Sequence, residues 1–324
     1  MPGTPIGPGT RFDLASLTKP IATTTLLAQA VAAGHIDLSA PLQHYLADAR
    51  GTPCGQFRVR DLLCHTSGWP AWLDYFAATT GFASHQRLAE VRHLVLTTQP
   101  VAETGVQAVY SDLGFMALGW MLEATAGQPL SDLFARQIAK PLNIHVGYRP
   151  MAAVQPLEPL VATEIWSPRC SDGLPLQGVV HDDNCAALGG VAGHAGLFGA
   201  AHDVAVWAQQ WLSAHAGDPV SLGLDPSLVR AWTAAAGVAG SNWRHGWDSP
   251  TQPGSTAGSL APADSFGHLG FTGTSVWLAP SADVAAVLLT NRVHPDRSAT
   301  GPIKTFRLEM YDLLWTAVAH PPVR

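Results

Sequence analysis

From Pro20 to Ile36 the chain carries no Asp, Glu, Lys or Arg, and its apolar residues fall on every side of a helical wheel. A helix of that kind is buried all round, so this run fixes the centre of the fold. The pattern predicts a helix from near Ser16 to Ala33, ended by Gly34, which readily takes the left-handed conformation that closes helices. Pro20 falls in the first turns, where a missing amide donor costs least. The run is too short and too rich in threonine for a membrane span. Ser16 and Lys19 stand at its start, one turn apart on the same face, so the amine reaches the hydroxyl. The only other lysines are Lys140 and Lys304. A partly desolvated amine loses its proton more readily and activates a hydroxyl as a nucleophile. The alternative is that Ser16 only caps the helix.

With 324 residues, 47% hydrophobic and 13% charged, the chain can bury one large core or two interlocked ones. The net charge of −6 and the singly scattered arginines argue against nucleic acid or a membrane surface as partner. Cys54, Cys64, Cys170 and Cys185 lack metal-type spacing and read as free, mostly buried thiols, although Cys54/Cys64 or Cys170/Cys185 could pair in an oxidising compartment. The first ten residues have neither the basic start nor the apolar core of a signal peptide, which as written implies the cytoplasm. No phosphate-binding glycine loop and no Gly-x-Ser-x-Gly elbow is present.

Helical pattern broken by proline and glycine runs from Asp37 to about Trp247, with helices at Ser111 to Ala126 and His202 to Ala214. A Pro/Gly/Ser/Thr-rich stretch, Asp248 to Asp264, reads as a loop. β-type runs follow at Phe266 to Phe271, Ser275 to Leu278 and Val284 to Leu289, then a helix from about Pro302 to Val318. This is a three-stranded antiparallel meander capped by a helix. The organisation is one domain over 1–324: a nucleophile helix (1–35), a mainly helical lobe (36–247), and loop, strands and C-terminal helix (248–324).

Three motifs come in order: Ser16-Leu17-Thr18-Lys19, Tyr110-Ser111-Asp112 and His268-Leu269-Gly270. With Phe12-Asp13-Leu14-Ala15-Ser16, Leu62-Leu63-Cys64-His65-Thr66-Ser67-Gly68 and Gly189-Gly190-Val191-Ala192-Gly193-His194-Ala195-Gly196-Leu197-Phe198, they resemble the β-lactamase-related serine hydrolases. That group comprises class C β-lactamases, penicillin-binding proteins, and their esterase and D-peptidase relatives. The resemblance implies an α+β fold, an antiparallel sheet flanked by helices plus a mainly helical lobe, with the cleft between them. Such proteins carry a helix and hairpin ahead of the first motif; here fifteen residues precede Ser16, so those sheet strands are expected to be missing. Val284 to Leu289 is then an open edge through which copies could associate. A missing N-terminal segment would also place the protein in the periplasm or outside the cell.

In the same resemblance Ser16 is the nucleophile, Lys19 takes its proton, and Tyr110 shares the relay and passes a proton to the leaving group. Asp112 stands where relatives often have asparagine, and a carboxylate there favours a charged Lys19. Ser111 and Asp112 also suit a cap for the helix that follows, and the two readings hold together, with Tyr110 pointing into the cleft. His268 is expected to hydrogen-bond substrate or developing charge. Gly270 keeps the approach to the Phe271 amide open, and the amides of Ser16 and Phe271 form the oxyanion hole. His181 and His194 belong to a loop near the cleft mouth, touching substrate or holding the loop; with Asp182 and Asp183 they fit no standard metal motif, so neither metal nor cofactor is expected. Trp69, Trp72 and Trp166 are core residues or part of an acyl pocket. The implied activity is hydrolysis of a carboxylic ester or D-amino-acid peptide through an acyl-enzyme, ranked above β-lactams because of His268. The competing reading is an inactive relative that binds peptidoglycan-like peptides or a protein partner.

Overall fold

Pro20 has no amide proton, and its ring opposes a regular bond to the Ser16 carbonyl. The start of the central helix is accordingly irregular. In the computed structural model, which describes residues 5–320 apart from 152–158, 168, 171–172, 235–237, 239 and 252, strand β1 (Phe12–Asp13) leads into a 3₁₀ turn, Ala15–Leu17, and a π-turn, Lys19–Thr24. Only then does the α-helix α1 (Thr25–Ala32) begin. One continuous helix from Ser16 is thus corrected to three segments. The stop at Gly34, at φ +73°, is as expected. Burial on all sides holds as well, with Ile21, Ala22, Leu26, Leu27 and Ala28 in the main core.

Around this axis lie α2 (Val59–Leu63), α3 (Ser84–Thr97) and α4 (Asp112–Ala126), the last closed by Gly127 in the left-handed region. A small antiparallel sheet in the order β1-β3-β2 joins β1 to β2 (Gly147–Tyr148) and β3 (Leu197–Gly199), with Asp13 opposite Phe198. Two- and three-residue strands carry no readable alternation, and the sequence pattern does not reveal them. Helix α5 (Ala201–Ala216) follows.

The meander is present: β4 (Phe266–Leu269), β5 (Ser275–Ala279) and β6 (Val284–Leu288), in that spatial order and antiparallel, then α6 (Gly301–Ala319). The period-two alternation of β6 sorts its side chains between two layers. Ala285 and Val287 join the main core on the side where α5 packs, and Val284, Ala286 and Leu288 pack with Trp277, Tyr311 and Trp315 under α6. Among the described residues β6 pairs only with β5. All four cysteines are free, with Cys54, Cys64 and Cys185 buried. No described helix is long and apolar enough to cross a membrane.

Candidate active site

Ser16 sits in the 3₁₀ turn because the residue before it is forced over. Ala15 has φ +48°, a left-handed conformation that costs an alanine about 1–2 kcal/mol. Buried Asp13 holds it there: Oδ1 accepts from the Ala15 amide (2.8 Å) and Oδ2 from the His181 amide (2.6 Å). Burial pushes the Asp13 carboxyl up to about 6. The far side of the turn is tied to the loop after β4, where the Thr272 and Thr274 hydroxyls donate to the carbonyls of Asp13 (2.7 Å) and Leu14 (3.0 Å). Gly270 is required at this crossing, since a Cβ there would lie 2.0 Å from Thr274 Oγ1 and 2.8 Å from the Leu14 oxygen.

The π-turn buries Lys19 completely and aims it at three groups. Its Nζ lies 3.1 Å from Ser16 Oγ, 2.5 Å from Tyr110 Oη and 2.6 Å from Asp112 Oδ1. Burial alone would lower the Lys19 ammonium, but Asp112 and Tyr110 reverse the effect and raise it. Burial also raises the Tyr110 phenol, against the pull of Lys19. In the resting site the lysine is therefore charged and the phenol neutral. Ser111 does not cap α4 with its side chain; its hydroxyl donates to the Pro70 carbonyl at 2.7 Å. Asp112 is spent on Lys19. A side-chain cap by Ser111 is thus absent, while Asp112, in the first turn of α4, still faces the positive end of the helix as it bonds Lys19.

Tyr110 is held from behind by His65, a residue to which the sequence reading gave no role. His65 adopts φ +58°, its Nδ1 accepts the Ser111 amide (3.1 Å), and its ring lies 4.7 Å from that of Tyr110. Trp243, also missed, stacks on Tyr110 at 5.1 Å. Both reach the site through loop geometry, with no periodicity to betray them.

His268 departs from expectation. Its Nδ1 is 2.8 Å from the Leu269 carbonyl; a carbonyl only accepts, so Nδ1 carries the proton and Nε2 is a buried acceptor with no partner among the described residues. Burial, reinforced by Lys19, lowers the imidazole to about 3. It is thus neutral, and its free nitrogen accepts rather than donates.

Ser16, Tyr110, Asp112, His181, His268, Gly270 and Phe271 border one cleft of about 570 Å³. Among the described residues the Ser16 and Phe271 amides donate no hydrogen bond inside the protein, so both are available to a substrate oxygen. His181 bonds Glu164 (3.1 Å) and stacks beneath Phe271 at 5.7 Å. His194 does not border the cleft: it is buried and its Nε2 pairs with Asp182 (3.0 Å), so of its two roles the loop-holding one applies. Of the tryptophans considered, Trp72 borders the cleft, Trp69 is core and donates to the Thr98 carbonyl, and Trp166 is exposed.

The model of the β-lactamase family matches residues 1–305. A protein of Salmonella agona (strain SL483) named "Putative D-alanyl-D-alanine carboxypeptidase" is 31% identical over 88% of this chain and 70% of its own length. Among solved structures, SurE superposes with a TM-score of 0.69 at 22% identity, covering 97% of this chain. This chain spans 66% of the length of SurE. EstCE1, titled a hydrolase with promiscuous acyltransferase activity, gives a TM-score of 0.69 at 19% identity over 95% of this chain and 86% of its own. The fold is that of β-lactamases and transpeptidases, and the chain belongs to the β-lactamase family of serine hydrolases.

Proposed function

We propose that the protein hydrolyses carboxylic esters or D-amino-acid peptides through an acyl-enzyme on Ser16. The observation that carries this reading is the triangle in which buried Lys19 Nζ meets both Ser16 Oγ and Tyr110 Oη. Lysine and tyrosine share the short Nζ–Oη contact and each shifts the other, so they titrate as one unit. Once that unit has lost a proton, it takes the Ser16 proton as Oγ bonds to the substrate carbonyl. The carbonyl oxygen turns to the Ser16 and Phe271 amides, and Tyr110 returns the proton to the leaving alcohol or amine. Water then repeats the sequence on the acyl-enzyme. Neutral His268 supplies no cation for a carboxylate, which supports ranking neutral esters above β-lactams; its Nε2 suits a substrate N–H or O–H.

The test is pre-steady-state hydrolysis of a chromogenic acetate beside release of D-alanine from a D-Ala-D-Ala peptide. A burst of one leaving group per protein with the ester, lost in Lys19→Met, supports the reading. Binding of the peptide without turnover of either substrate, unchanged by Ser16→Ala, would overturn it in favour of a binding protein.

A further inference from the structure

Asp248 has no part in the chemistry above, yet it borders the same cleft. The backbone of Asp248 pairs with Gly267 in both directions (2.8 and 2.9 Å), which sets the residue beside the N-terminal end of β4, one position from His268. Its Oδ1 accepts from the Ser249 amide (2.8 Å) and from the Asn242 side chain. Its Oδ2 accepts nothing among the described residues, and the side chain borders the cleft together with Trp243 and His268. Arg244, the cation that acts on it, donates to the Thr233 carbonyl. The carboxyl is pushed up to about 7, chiefly by burial, which outweighs the pull of Arg244.

The cleft is polarised along β4. At the opposite end Arg292 holds the Phe271 carbonyl (2.7 Å) and Arg307 those of Gly270 and Thr274 (3.2 and 2.6 Å), with Lys304 in the first turns of α6. Roughly 10–13 Å of extended chain separates the two ends at about 3.3 Å per residue. The remaining acids of the cleft are engaged: Asp112 with Lys19, Asp182 with His194, Asp183 with Arg169 and Arg297. A cationic group entering the cleft therefore finds its open carboxylate oxygen at the Asp248 end, in a cleft wall that also includes Trp243. Trp243 stacks on Tyr110, the group that protonates the leaving atom in the proposed reaction, so this is the leaving-group side.

We propose that Asp248, with Trp243, is a specificity residue that receives a primary ammonium group on the leaving portion of the substrate, favouring amine-bearing alcohols and amides. This rests on the hydrolase reading. The experiment compares kcat/KM at pH 8 for three aryl acetates whose phenols carry para aminomethyl, methyl or carboxylate groups. All three give the same acetyl-enzyme, so differences report the leaving-group side alone. The expected result is a preference of tenfold or more for the ammonium over the methyl substrate, with the carboxylate slowest. That ratio should collapse to about threefold or less in Asp248→Asn, which keeps an acceptor for the Ser249 amide, and should persist in Asp248→Glu. Equal ratios in wild type and Asp248→Asn would overturn the proposal while turnover of the neutral acetate left the hydrolase reading standing. A folded protein, checked by its melting transition, that turns over none of the three would remove both.

Discussion

Lys19 Nζ lies closer to Asp112 Oδ1, at 2.6 Å, than to Ser16 Oγ, at 3.1 Å. The carboxylate, first residue of α4, therefore competes with the Ser16 hydroxyl for the lysine. An opposite charge at this range favours the protonated amine. Burial works the other way and is outweighed. In the proposed mechanism activation of Ser16 thus waits on loss of a proton from the Lys19–Tyr110 unit, and kcat/KM for a neutral ester is expected to rise with pH on the alkaline side.

Asp112→Asn removes the charge and keeps an acceptor at the same place. The lysine then loses its proton more easily, so the rising limb of the pH profile should move to lower pH, with kcat/KM several-fold higher below the wild-type limb. A pH–rate profile of both proteins on a neutral acetate checks this; an unmoved limb would place the essential base elsewhere.

His65 touches neither Ser16 nor the cleft volume, and acts through Tyr110. Burial, with Lys19 and His268 adding to it, holds its ring neutral, far below the ordinary histidine range, which leaves Nδ1 free to accept the Ser111 amide. His65→Ala strands that amide and should cost about 1–3 kcal/mol of stability. It should also lower kcat for acetate hydrolysis tenfold or more with little change in KM, since Tyr110 loses its backing. His65→Asn, whose side-chain oxygen can accept the same amide, should restore part of kcat; a loss of stability with kcat intact would reduce His65 to a structural residue.

His268 titrates at about 3 in the fold against an ordinary value of about 6.5. The unfolded chain then binds the proton first, so the stability this residue contributes is full above pH 6.5 and is lost as pH falls toward 3. One proton is worth about 1.4 kcal/mol per pH unit inside that window. Asp13, at about 6, and Asp248, at about 7, act with the opposite sign: the folded chain keeps protons that the unfolded one has given up, and stability falls as pH rises through their window. His268→Asn retains both carboxyls, so the difference in urea unfolding free energy between the two proteins isolates the histidine. That difference should change by about 1 kcal/mol or more per unit between pH 6 and 4, and a flat difference would show the ring to be solvated.

Gly270→Ala drives a methyl group against the Thr274 hydroxyl and the Leu14 carbonyl, the contacts that tie β4 to the nucleophile turn. Activity on acetates should fall a hundredfold or more, with a melting temperature lowered by several degrees; near-normal activity would mean that this crossing has slack.

Much of this was legible because it rests on local pattern. The all-round apolar run gave the buried axis, β-type runs between glycine and proline breaks gave β4, β5 and β6, and the motifs in order named Ser16, Tyr110, Asp112, His268, Gly270 and Phe271, which border one cleft, with Lys19 buried behind it. What escaped depends on chain that has no period. The two-residue strands β1 and β2 are too short to alternate, and His65, Trp243 and Asp248 arrive on loops. Pro20 was visible, but not that it would turn the start of the helix into 3₁₀ and π segments. The protonation of His268 depends on a carbonyl one residue away and on burial, neither of which is written in the strand pattern.

The most direct test of the acyl-enzyme proposal is intact-mass measurement after exposure to a fluorophosphonate, with peptide mapping of the adduct and Ser16→Ala in parallel. The expected result is one adduct per chain, on Ser16, absent from the variant and slower to form in Lys19→Met. A folded wild-type protein that takes no adduct, or takes it on another residue, would contradict Ser16 as the activated nucleophile.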